Sequence, residues 1–309
     1  MADQKIPTPP LDSLPLATNR ELGSIGTVSS LAIGCWRLVG SDDTNTRVIN
    51  TAVDAGITLI DNADVYGLDW GGTHFGACEE ALGRIFLSQP SLRDRVIVAT
   101  KAGIVPGIPY NSSADYLISA CEASLARMAI DHIDLFQIHR PDLFTHPEEV
   151  ASACESLRSR GLVREIGVSN YTSSQTLALN AFLSDGLVST QPEFSALHLD
   201  PLRDGTFDFC MEAGITPMAW SPLAGGSLAT GDGVSPALIA QLDSIAQREG
   251  VTRAAVAVAF VLAHPSAPIA IIGTQSPEHV LELCASTTIS LTRADVYAII
   301  EASDGHPLP

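Results

Sequence analysis

Asp61, Tyr66, Lys101 and His139 are side chains that, brought together, could move a proton to or from an oxygen atom. Tyrosine is a weak acid near neutrality, with an unperturbed pKa of about 10. A lysine ammonium held beside it stabilises the phenolate and makes the phenol a better proton donor. A buried ammonium is costly without a counter-charge, and an aspartate can supply one. A histidine can hydrogen-bond a carbonyl oxygen, orienting it and stabilising charge that develops there. A carbonyl oxygen that gains negative charge during a reaction could draw on each of these contributions.

Each residue also has an ordinary reading. Asp, Asn and Gly take turn conformations easily, so Asp61-Asn62-Ala63-Asp64-Val65-Tyr66-Gly67 can be a plain loop with one half-exposed aromatic. Asp64 rivals Asp61, although it reads as a loop residue or the start of a helix. Lys101 can snorkel to solvent from a strand end, and His139 can be structural beside Arg140 and Pro141. Position argues against coincidence. The runs 57–60, 96–100 and 133–138 read as buried strands, and each ends in one of these polar groups.

The elements that must position them alternate along the whole chain. Residues 1–20 carry little periodicity and read as a loose arm, and Gly23 and Gly26 mark a small β-hairpin within 21–29. Strands are expected at 30–36, 57–61, 95–101, 133–139, 164–170, 187–191, 215–220 and 268–273. Helices are expected over 44–55, through 78–82, and near 113–129, 147–160, 173–184, 202–213, 235–249, 253–263, from 277, and near 292–303. In the first helix Val48, Ile49 and Ala52 recur at helical spacing. This alternation predicts an α/β fold, a (β/α)8 TIM barrel with a short N-terminal β-hairpin and extra C-terminal helices. An open doubly wound sheet is the competing architecture, but strand one lacks the GxGxxG turn of a dinucleotide-binding unit. The polar residues sit at C-terminal strand ends, where barrel enzymes keep their sites.

Composition bounds the rest. A chain of 309 residues with 46% hydrophobic and 17% charged residues suits one domain spanning 1–309 with a large core. A formal charge of −18 with only 17 Lys plus Arg argues against nucleic acid or an anionic membrane as partner. Cys35, Cys78, Cys121, Cys154, Cys210 and Cys284 form no CxxC or zinc-ribbon spacing, so reduced thiols are expected. The N-terminus lacks a secretory pattern and the most apolar run, 254–263, is too short to span a bilayer. These features predict a soluble cytoplasmic protein acting on a small molecule. The histidines show no HExxH or HxH pattern, so no metal is expected. Nor is there a GxSxG elbow.

From Leu31 to the final helix the chain resembles the aldo-keto reductase family. Asp61-Asn62-Ala63-Asp64-Val65-Tyr66 has the family's D-x-A-x-x-Y form, and the resemblance extends to Lys101 and His139. It implies Tyr66 as general acid, tuned by Lys101, with Asp61 pairing the lysine and His139 orienting the carbonyl. Gly167-Val168-Ser169-Asn170 with Gln191 is similar to the segment that holds the nicotinamide carboxamide, and Trp220 to the aromatic on the nicotinamide face. Ser221, Leu223 and Gly225 would follow the pyrophosphate, and Gly34, Cys35 and Trp36 with Asp61 would border the cofactor. Gly273, Thr274, Gln275, His279 and Glu282 resemble the adenosine end of the site. His279 stands where NADPH-using relatives usually carry an arginine. A histidine pairs with a 2′-phosphate more weakly and in a pH-dependent way, so NADP(H) is favoured and NAD(H) stays open. Trp36, Trp70 and Phe75, with Tyr66 and His139, would wall the substrate.

The ending, Glu301-Ala302-Ser303 and then Pro307-Leu308-Pro309, resembles a bacterial, monomeric branch, which implies a monomer. The expected activity is NAD(P)H-dependent reduction of an aldehyde or ketone, a keto-sugar or cyclic ketone among them. Two alternatives stay open: an oxidative dehydrogenase acting on an alcohol, sugar or pyridoxine, and a cofactor-sensing, non-catalytic barrel subunit.

Overall fold

Apolar strands that alternate with one-sided helices can bury both partners only by layering, and here the sheet closes on itself. The computed structural model describes residues 13–68 and 71–309. Eight parallel strands form the barrel: β1 (Leu31–Gly34), β2 (Leu59–Asp61), β3 (Ile97–Ala102), β4 (Ile133–Ile138), β5 (Val163–Ser169), β6 (Ser189–Gln191), β7 (Thr216–Ala219) and β8 (Ile269–Ile272). Pairing follows chain order and closes from β8 to β1 through Ala270↔Leu31 and Ile272↔Ile33. Strand β4 is buried at every position, as a strand covered on both faces must be. Its period of two sends Leu135 and Gln137 inward and Phe136 and Ile138 toward the helices.

The longer helices are α1 (Asp42–Asp54), α2 (Ala77–Ser88), α3 (Ala114–Met128), α4 (Pro147–Ser159), α5 (Ser173–Asn180), α6 (Thr206–Ala213), α7 (Pro236–Glu249), α8 (Arg253–Leu262), α9 (Pro277–Cys284) and α10 (Arg293–Asp304). Ser41, Thr172, Ser235, Thr252, Ser276 and Thr292 cap six of them by accepting an N–H of the first turn. The most apolar run becomes α8, buried from Ala254 to Leu262 between its neighbours. No helix among the described residues is long and apolar enough to cross a membrane.

Most of the core lies between strands and helices. A smaller cluster inside the barrel joins Ala32, Leu59, Ala99, Leu135, Met218 and Ile269 with Leu22 and Val28. The last two belong to the expected N-terminal hairpin, Asn19–Leu22 paired with Gly26–Ser29. Ser24 N–H donates to Glu165 (2.8 Å) and Thr216 Oγ1 to the Glu21 carbonyl (2.8 Å), so the hairpin plugs the end where the strands begin. The opposite end is left for chemistry.

Three expectations are corrected. Residues 13–20 are no loose arm: Ser13–Leu14 pairs with Leu291–Thr292, and Arg20 is anchored on the carbonyls of Pro268 and Leu262. Residues 1–12 lie outside the described residues. A second hairpin, Ile104–Val105 with Ile108–Tyr110, follows β3 around Gly107 (φ 90°), where only a strand-to-helix connection was expected. Helix α6 starts at Thr206 rather than near 202, because Gly205 turns the chain through a left-handed conformation (φ 84°) just before it.

Candidate active site

Strand β2 ends by pointing Asp61 into the barrel, and the next residues fold over the strand ends. Lys101 Nζ lies 2.7 Å from Asp61 Oδ2, 2.8 Å from the Asn62 carbonyl oxygen and 3.3 Å from the Tyr66 hydroxyl. Lys101 is fully buried and Asp61 nearly so, so this is an ion pair shielded from solvent. The other Asp61 oxygen accepts from the amides of Gln191 (2.9 Å) and Gln137 (3.3 Å). The carboxylate therefore has partners on both oxygens and cannot swing away. The His139 ring meets Tyr66 edge-on, with centroids 5.8 Å apart. The four residues are brought to one place.

Asp64 takes no part in that pair. Its N–H donates to the Lys101 carbonyl (2.9 Å), while its buried side chain points toward Tyr116, whose hydroxyl is 3.5 Å away. Burial, then the nearby Glu79, pushes its pKa well above the usual carboxylate range.

Burial also dominates the titration of the site. It raises the Tyr66 phenol above its ordinary value, and the adjacent Lys101 ammonium offsets only part of that rise. Lys101 thus acts on Tyr66 in the expected direction, but it only limits an increase that burial imposes. Burial acts to lower Lys101, but Asp61 and Tyr66 outweigh it and hold the ammonium above its ordinary value. Burial, then Lys101 and Arg140, pushes His139 well below the ordinary imidazole value, so the ring is neutral. His139 Nδ1 is buried without a partner. A bare nitrogen is best left unprotonated there, which places the proton on Nε2, where it can be donated into the cavity.

A cavity of about 780 Å³ runs from Tyr66 and His139 across the strand ends. Ser169, Asn170, Gln191 and Trp220 line it, together with Ser221, Leu223 and Gly225 and with Gly273, Thr274, His279 and Glu282. Trp220 Nε1 donates to Asn170 Oδ1 (2.9 Å), and Asn170 Nδ2 to Ser169 Oγ (2.7 Å), so the indole is fixed as a flat wall. Asn170, Ser221 and Ala224 have φ of 58°, 54° and 49°, and all three line the cavity. Such backbone outside glycine concentrates at ligand sites. At Gly225 and Gly226 an added Cβ would meet no protein atom within 4 Å, which leaves backbone open for a bulky ligand. Shape, hydrogen-bonding edges and open backbone fit a nicotinamide dinucleotide.

Not every expected residue is in that wall. Cys35 is fully buried behind it, because the turn after β1 rotates its side chain into the core. Phe75 packs under the Arg127 guanidinium (5.7 Å) away from the cavity, since Arg127 is drawn there by Glu79. Gln275 reaches the Arg37 carbonyl (2.9 Å) and braces the loop without lining the cavity. Trp70 lies outside the described residues. Gln191 lines the cavity, but its amide nitrogen already serves Asp61, leaving the carbonyl oxygen for a ligand. The reading of the residues also missed Gln137, Arg140 and Glu193. Gln137 could have been found: it lies two residues before His139, on the same face of β4.

The sequence matches the Aldo/keto reductase family over residues 30–304. It is 44% identical over 295 residues to a 6-dehydroglucose reductase from Novosphingobium aromaticivorans, covering 94% of this chain and 97% of that one. An NADP(+) aldo-keto reductase, yakc, from Schizosaccharomyces pombe is 28% identical over 92% of this chain and 91% of its own. The crystal structure of a thermostable aldo-keto reductase bound to the inhibitor epalrestat superposes with a TM-score of 0.81 at 28% identity, covering 93% of this chain and all of that one. Barrel, strand-end chemistry and likeness agree: the chain belongs to the aldo/keto reductase family and is an NAD(P)H-dependent oxidoreductase.

Proposed function

We propose that the protein reduces an aldehyde or ketone to the alcohol with NADPH, using Tyr66 as the general acid. The observation that carries this reading is the Lys101 ammonium, held between Asp61 and the Tyr66 hydroxyl at 2.7 and 3.3 Å. A reduced nicotinamide supplies hydride to the carbonyl carbon when bound, and the oxygen then needs a proton. Neutral His139, with its proton on the cavity side, orients that oxygen by donating to it. Tyr66 gives up its phenolic proton to the same oxygen, and the phenolate left behind is stabilised by Lys101. Asp61 keeps the lysine charged throughout. Run backwards, the same groups oxidise an alcohol, with tyrosinate as base.

The name of the relative at 44% identity supports a sugar-derived carbonyl as substrate. The name of the yeast relative supports NADP(H), for which His279, Thr274 and the N-terminus of α9 are the candidate 2′-phosphate contacts. Initial rates with NADPH and with NADH, against simple aldehydes, ketones and sugar-derived carbonyls, test the reading. Turnover of one carbonyl class with NADPH preferred is expected. Tight NADPH binding without turnover of any carbonyl would contradict it.

A further inference from the structure

Arg140 directly follows His139 and lines the same cavity, partly buried. Among the described residues its guanidinium has no hydrogen bond and no ion pair; it lies over the Trp220 ring, 5.9 Å from the centroid. Other partly buried arginines are held differently. Arg93, Arg127 and Arg158, partly buried like it, are each held by a carboxylate: Asp134 (2.8 Å), Glu79 (2.7 Å) and Glu165 (3.0 Å). With 35 acidic residues against 17 basic ones, an arginine left uncommitted in a cavity is there for something other than the fold.

Its surroundings define what that is. The loop bearing Arg140 is pinned by Asp142, which accepts from the N–H groups of Ser112 and Phe144 and from the Thr145 hydroxyl, at 3.0, 3.0 and 2.8 Å. Glu193 lines the cavity too, and its backbone is bridged to that of Trp220. Its carboxylate is partly exposed, with His198 Nδ1 3.9 Å from one of its oxygens. The cavity that holds Tyr66 and His139 thus offers both a planar donor fork and a carboxylate acceptor. Donor and acceptor together suit hydroxyl groups, which both give and accept hydrogen bonds. An anionic substrate would find Arg140 but be opposed by Glu193 and by the charge of −18 on the whole chain.

We propose that Arg140 and Glu193 are specificity-determining residues that read hydroxyl groups next to the reacting carbonyl, so that the preferred substrate is a neutral polyhydroxylated aldehyde or ketone. The proposal rests on the reductase reading above. Three aldehydes separate the possibilities: glyceraldehyde, propanal of the same length without hydroxyls, and succinic semialdehyde, which carries an anion. NADPH titration by fluorescence reports that each variant is folded and loads cofactor. The wild-type protein is expected to favour glyceraldehyde over propanal in kcat/KM. Arg140→Leu should cut that ratio at least about tenfold, mainly through KM, and Arg140→Lys should restore part of it. Glu193→Gln should lower the ratio less and improve succinic semialdehyde. An unchanged ratio in Arg140→Leu overturns the proposal. So does a wild-type preference for succinic semialdehyde that Arg140→Leu abolishes, which would make Arg140 an anion anchor. Wild-type protein that binds NADPH but turns over none of the three overturns the reductase reading itself, and this proposal with it.

Discussion

In the proposed reaction, three protonation states around one carbonyl oxygen decide the outcome. Tyr66 is a phenol held above its ordinary pKa by burial, Lys101 a secured ammonium, and His139 a neutral ring. The proton needed for reduction is therefore present through the neutral and mildly alkaline range. Oxidation needs the phenolate, which becomes populated only as pH rises toward the raised Tyr66 value. Reduction rates should be flat from about pH 6.5 to 8.5, while oxidation rates with NADP⁺ climb about tenfold per pH unit over the same span. Steady-state profiles in both directions check this. A reduction rate that falls steadily as pH rises through that range would mean that His139, whose burial holds it below its ordinary value, delivers the proton instead of Tyr66. Most of this was legible in the sequence, because Asp61, Tyr66, Lys101 and His139 sit at strand ends whose apolar runs are unambiguous. The net rise at Tyr66 was not, since it depends on how much solvent the folded loop excludes.

Elements set how tightly that geometry is held. Glu79 on α2 accepts from Thr100 Oγ1 on the outer face of β3 (2.5 Å) and from Arg127 at the end of α3 (2.7 Å). It clamps the strand at the residue before Lys101. The clamp needs α2 and α3 in close contact, and Gly83 provides it: a Cβ there would lie 2.2 Å from the Arg127 carbonyl oxygen. Gly83→Ala should cost about 1–3 kcal/mol, read as a lower urea midpoint at unchanged m. A variant as stable as the parent would show that the helices can separate freely. The sequence located these helices from their apolar spacing but could not show the close approach. It likewise missed the hairpin at Ile104–Tyr110, although Pro106-Gly107 between two apolar pairs is a turn signal. Residues 13–20 read as loose because their anchors, Leu291–Thr292 and Pro268, are far away in the chain.

At the scale of the whole molecule, two imidazoles tie stability to pH. Burial lowers His139 well below its ordinary value and lowers His264, packed against Phe207 at 4.4 Å, to about 4. Unfolded, both would titrate near 6.5. Below that pH the unfolded chain binds more protons than the folded one, so stability is fully present above about 6.5 and is lost as pH falls toward the folded values. Melting temperature should therefore drop between pH 7 and 5, and His264→Phe should lessen the slope. A melting temperature that holds or rises over that interval would contradict the burial of neutral rings. The barrel itself was legible from the alternation of elements; the cavity walls were less so. Arg140 and Glu193 follow strand ends with no motif to mark them, and Phe75 is turned away by Arg127, a partner 52 residues distant in the sequence.

In the proposed reaction Tyr66 donates the proton and does nothing essential besides. The direct measurement is kcat for carbonyl reduction by Tyr66→Phe together with its Kd for NADPH. Losing only the hydroxyl should lower kcat by at least about a hundredfold with Kd changed less than about twofold. A variant that keeps its kcat, or loses NADPH binding in proportion to turnover, would mean that the phenol is structural and that the proton comes from elsewhere.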